Sequence, residues 1–276
     1  PITFEYVNQV YSIPNGSNTP LGDYGTYTWN FTNEHWDYSN EPNNRVVYLF
    51  PSNGLSEEND ANLRFENYLI NVVDEVTFPM KFIMTLRVDD IFVSSTSYEA
   101  ITENDRISRF SIGINQNPFV SIFNVQSKST SAGDKATVTY SLKKDNVTKV
   151  SSKLELLFPE PINTNTLFIS GNDNFDRLIA VQGYVQVNSL KYTFDFNLEE
   201  FRKETPLDQM ESSANSNLKI HLFTYPTGES VAGINWTYIA ETAELMPNFV
   251  FNDGSVDEAL VFLPEIIKKL LESFLD

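Results

Sequence analysis

Between residues 26 and 32 apolar and polar side chains alternate: Tyr27, Trp29 and Phe31 share one face, while Thr26, Thr28, Asn30 and Thr32 share the other. A period of two in aromatic and β-branched residues predicts a half-buried strand with the three rings turned inward. Runs of the same kind at 45–50, 80–88, 91–95 and 109–114 predict further strands, parted by turn-forming clusters such as Pro14-Asn15-Gly16-Ser17-Asn18 and Pro51-Ser52-Asn53-Gly54. The rhythm pauses at Asn115-Gln116-Asn117-Pro118 and then restarts, which predicts a domain boundary between 117 and 118. Strands are expected again at 153–158, 166–170, 178–187, 190–196, 218–224 and 234–240. Within this stretch only 199–213 reads as helix, a crossover with Thr205 as its cap and Pro206 at its first position.

The last segment, 253–276, changes period. Leu260, Leu263, Ile267, Leu270 and Phe274 step by three and four residues, the spacing of a heptad seam, and Ile266, Leu271 and Leu275 widen it into a stripe. Ser255 followed by Glu258 matches a capping box. Pro264 sits inside the pattern, so a kink or a restart of the helix is expected there. The five seam residues are candidate partner-binding positions, with packing of the helix on its own β domain as the alternative. A membrane-interface role fits less well, because Lys268 and Lys269 are the segment's only cations.

The pattern as a whole predicts an all-β fold: two β-sandwich domains of immunoglobulin-like or jelly-roll type, 1–117 and 118–252, followed by a C-terminal amphipathic helix, 253–276. In 119–146, "FVSIFNVQSKSTSAGDKATVTYSLKKDN", a short strand meets an "AGD" turn and then a long alternating strand, with Ala136, Val138, Tyr140 and Leu142 on one face. This stretch of about thirty residues resembles the opening of immunoglobulin-like modules in bacterial and phage surface proteins. The resemblance implies a β-sandwich and carries no activity with it.

Composition narrows the function classes. The net charge of −18 opposes non-specific affinity for nucleic acid or an anionic membrane, since both need a cationic face. Acid is unevenly spread: 16 acids against 6 bases in 1–117, 15 against 11 in 118–252, and 6 against 2 in the tail. Cysteine is absent, which removes disulfides, thiolate nucleophiles and thiolate metal sites. No apolar run reaches the roughly 18 residues that a membrane-spanning helix needs. Pro1 is expected to follow a removed initiator Met in a chain made in the cytoplasm without a signal peptide; a cleaved leader is the alternative.

Candidate chemistry is sparse. His35 lies beside Trp36 and Asp37, and His221 lies in the strand "LKIHLFTY", but no nucleophile elbow, zincin motif or phosphate loop accompanies either. Both are expected to be structural or surface residues. The loops 56–62 and 171–177 concentrate oxygen ligands, making Asp173 and Asp176 weak calcium candidates, with Asp89-Asp90 able to add carboxylates; no other cofactor is implied. Tyr24, Trp36 and Tyr38 flank the first strand in turn-like sequence and are the candidate ligand surface, since exposed rings stack on the apolar face of a sugar. The leading expectation is a non-enzymatic structural or interaction protein of a surface assembly (virion, phage tail or cell-surface filament), homo-oligomeric or joined to other subunits. A carbohydrate-binding or adhesion module is second, and a hydrolase working through paired carboxylates third.

Overall fold

The computed structural model describes residues 10–16, 19, 21–53, 56–73, 76–103, 106–130, 133–159, 177–203 and 205–275. The chain divides into two compact units, Pro1–Asp105 with Phe110–Ile122, and Arg106–Arg109 with Phe123–Asp276. Each has a hydrophobic core of its own.

The first unit contains β1 (Gly25–Asn30), β2 (His35–Ser39), β3 (Arg45–Phe50), β4 (Ala61–Val73), β5 (Val76–Val88) and β6 (Ile91–Glu103). β7 (Arg106–Gln116) and β8 (Phe119–Thr130) contribute residues to both units. The second unit continues with β9 (Gly133–Lys144), β10 (Val147–Phe158), β11 (Ala180–Val187) and β12 (Leu190–Asn197). It ends with β13 (Leu218–Thr224), β14 (Ser230–Ile239), β15 (Glu244–Phe251) and β16 (Val256–Glu258).

The fold is all-β, as expected. The strands share one hydrogen-bonded order, β2-β1-β3-β4 and then in sequence to β16. The turns give the reason. At Asp89-Asp90 and Asp145-Asn146 both residues have left-handed φ (50° and 60°, 51° and 64°). Two-residue hairpin loops need that geometry, and they return each strand beside its predecessor. Asp89-Asp90 is therefore a hairpin turn by its backbone. β1 makes the one departure among the registered pairs, lying parallel to β3 and antiparallel to the edge strand β2.

Among the described residues of the second unit four short helices accompany the strands: α1 (Leu198–Phe201), α2 (Met210–Asn217), α3 (Ala259–Phe262) and α4 (Glu265–Leu275). Trp236, Phe196, Phe249, Leu218 and Ile220 are fully buried in this core together with Ile267 and Leu271 of α4. The Trp236 indole N–H donates to Leu218 O at 2.7 Å. Asn215 of α2 clasps the same residue, accepting its backbone N–H at 2.8 Å and donating to its carbonyl at 2.9 Å.

The helix expected over 199–213 is broken into α1, a 3₁₀ turn at Leu207–Gln209 and α2. Thr205 does not cap it, because its hydroxyl donates back to Lys203 O. The tail differs from expectation at its start. The Ser255 N–H and hydroxyl both donate to Asp253 Oδ1, at 2.9 and 2.6 Å, so Ser255 closes a turn into β16 and no capping box forms. Pro264 restarts the helix: α3 ends with Leu263 in extended geometry, and the Pro264 carbonyl accepts from Ile267 and Lys268 N–H. The strand expected at 166–170 lies outside the described residues.

Candidate ligand-binding cleft

The hairpin β1–β2 places the aromatic residues of 24–38. Asn30 Oδ1 accepts the backbone N–H of Thr32 and Asn33, at 3.1 and 3.2 Å, and so shapes the turn. Glu34 closes it with a left-handed φ of 51°. The resulting register sets Trp29 opposite Trp36 and Tyr27 opposite Tyr38, while the parallel pairing sets Tyr27 beside Tyr48. Because side chains alternate along a strand, the four rings of the hairpin fall on one face.

The rings form a continuous layer. Tyr27 stacks on Tyr48 with centroids 5.0 Å apart, and Trp36 meets Tyr48 edge-on at 5.2 Å. The two indoles are nearly perpendicular, 72° apart at 5.3 Å. Tyr11 closes the row against Trp29 at 5.0 Å, and its carbonyl accepts the Trp36 indole N–H at 2.7 Å. Such contacts add about 0.5–1.5 kcal/mol each beyond area burial. Exposure rises towards the edge strand: Tyr48 and Tyr27 are buried, Trp29 and Trp36 half-buried, and Tyr38 is 48% exposed. Burial pushes the Tyr48 phenol far above its usual range, and its hydroxyl makes no hydrogen bond among the described residues.

Trp29 and Trp36 line an open cleft of about 690 Å³ with Tyr11, Phe31, His35 and Pro51, and with Glu34 and Ser56 as polar members. His35 Nε2 lies 2.9 Å from Asp37 Oδ1, and Asn30 Nδ2 donates to Asp37 Oδ2 at 2.8 Å, which fixes the hairpin's polar side chains. A smaller cleft of about 330 Å³ adjoins Tyr38, lined also by Asp23, Tyr24, Glu41 and Asn43. There the Thr26 hydroxyl donates to Glu41 at 2.8 Å; with the Asn43 amide it holds that carboxyl below its usual range.

Of the residues expected to meet a ligand, Trp36 lines the larger cleft, and Tyr24 and Tyr38 line the smaller. The Tyr38 hydroxyl is committed to Tyr24 O at 2.7 Å. The division expected between a buried Tyr27-Trp29-Phe31 face and an exposed Trp36-Tyr38 end needs correction. Trp29 and Trp36 are cross-strand partners, and β1 stops at Asn30, so Phe31 belongs to the turn and lines the cleft. Tyr11 and Pro51 come from distant sequence, and the Trp29–Trp36 register was not signalled either, because 33–38 reads as turn-like and lacks the Asn-Gly or Asp-Gly pair that marks a hairpin.

The other candidates lie elsewhere. Leu263, Ile267 and Leu270 are buried in the core of their own unit, Leu260 is exposed, and Phe274 lies in α4 with its side chain outside the described set. His221 stands exposed on β13 over Gly233. In the loop 56–62, Asp60 is engaged by the Ser52 hydroxyl and N–H, while Asp173 and Asp176 lie outside the described residues. Among the described residues no three His, Cys, Asp or Glu side chains gather as a metal site would need.

The chain matches no protein-family model, no curated protein and no solved structure.

Proposed function

We propose that this is a non-enzymatic interaction protein of a surface assembly (virion, phage tail or cell-surface filament), and that its N-terminal unit holds a glycan in the aromatic cleft. The observation that carries the reading is the pair of perpendicular indoles, Trp29 and Trp36, walling an open cleft of about 690 Å³. Ligand clefts typically enclose about 300–1,000 Å³ and pair apolar walls with a few polar groups. A pyranose has the matching chemistry: its C–H face packs on a ring, and its hydroxyls can pair with Glu34, His35 and Ser56 at the rim. The resemblance of 119–146 to surface-protein modules supports the assembly setting. In that setting the two β units take the part expected of two sandwich domains, with copies of the chain or other subunits as neighbours.

A glycan array probed with the native chain and with Trp36→Ala tests the reading. Binding to a defined glycan class is expected, weakened about tenfold or more by loss of one aromatic anchor. A blank array with a folded protein, or binding that Trp36→Ala leaves untouched, would remove the glycan from the account.

A further inference from the structure

In the second unit the turns β9–β10 and β11–β12 lie at the same end of the strands, because Val150 pairs with both Leu142 and Val187, and Val187 pairs with Leu190. The register produces an apolar row across four strands, Leu142, Val150, Val187 and Leu190. It continues the face that carries the buried Leu154, Val185 and Tyr192. At this end Val187 and Leu190 are exposed, and Val147 just after the first turn is 56% exposed. Lys143, Lys144, Lys149 and Lys191 flank the row. The acids on the turns of this unit at this end are Asp145, Glu229 and Asp253, one fewer than the lysines. The turns are tied to one another: Asn188 N–H donates to Lys149 O at 2.8 Å, and Tyr225 N–H to Ser189 O at 2.7 Å, which adds the exposed Tyr225 to the rim.

We propose that this rim docks on an anionic lipid bilayer. Exposed aliphatic side chains at strand ends with lysines beside them suit a headgroup layer, which takes apolar and cationic groups together. The lysines supply the charge complementarity. Ionic screening within about 8 Å limits the opposition from acids elsewhere on this acidic chain. The cationic face that the total charge conceals is therefore local and lies at one end of one unit.

The test is sedimentation of the full chain with phosphatidylcholine vesicles, with and without phosphatidylserine, at low and high salt. Binding is expected only with phosphatidylserine, and high salt should abolish it. Lys143→Glu/Lys144→Glu should weaken it about tenfold or more, with Lys143→Gln/Lys144→Gln intermediate and Val147→Asp weaker at low salt. Unchanged circular dichroism melts would show that each variant folds. The proposal is overturned if phosphatidylserine vesicles stay bare, if neutral vesicles bind equally, or if the lysine variants bind like the parent. A lysine-dependent rise in mass by light scattering, with vesicles still bare, would also overturn it by assigning the rim to a second copy of the chain.

Discussion

Tyr48 carries a hydroxyl into the floor of the aromatic layer, where it makes no hydrogen bond among the described residues. A buried polar group without a partner costs stability, and its removal with the ring kept in place relieves that cost. Tyr48→Phe should therefore raise stability by about 0.5–1 kcal/mol, read as a higher melting temperature; a loss of that size would reveal an acceptor or donor for the hydroxyl. Glu155 is the opposite case. Lys153 Nζ at 2.8 Å and Lys135 Nζ at 2.9 Å hold its carboxyl down to about 2, with the Gln182 amide adding a further bond. A folded-state pKa below the unfolded one, near 4.3, stabilises the fold fully above that range and loses its effect as pH falls towards 2. Glu155→Gln should cost about 1–2 kcal/mol at neutral pH. In denaturant titrations the gap between variant and parent should shrink steadily below about pH 5; a gap independent of pH would contradict this assignment.

Among the elements, β3 and β13 have the bounds expected from alternation, because turn-forming residues or a helix delimit each run. β4 and β15 were hidden for physical reasons. In β4 the register shifts between Glu66 and Leu69, around Asn67 with its left-handed φ of 57°, and a bulge of that kind interrupts the period of two. β15 contains Pro247, whose missing N–H argues against a strand in sequence alone. The tail shows the converse limit. Its heptad spacing marks which side chains share a face, but spacing does not say whether that face meets its own core or another chain. Leu263, Ile267 and Leu270 meet their own core. Ile267→Ala should accordingly cost about 3 kcal/mol in denaturant unfolding, as a fully buried aliphatic does. Leu260→Ser, at an exposed position, should change stability by less than about 0.5 kcal/mol.

For the whole molecule, a period of two reveals strands without revealing their partners. The all-β class was thus legible, while the single strand order had to come from turns such as Asp89-Asp90 and Asp145-Asn146, whose left-handed geometry is not the signal an Asn-Gly pair would be. Total charge had the same weakness, since −18 averages over a lysine-bearing rim. The cleft was half legible: Trp36 stood out by composition, but Trp29 joins it only through the hairpin register, and Tyr11 only through the fold. The most direct test of a glycan in that cleft follows the indole N–H resonances, one for each of the 3 Trp residues, during titration with an array-selected glycan. Trp29 and Trp36 should shift together, and Trp236, buried in the other unit's core, should stay still. Shifts confined to Trp236, or none at saturating glycan, would contradict the account.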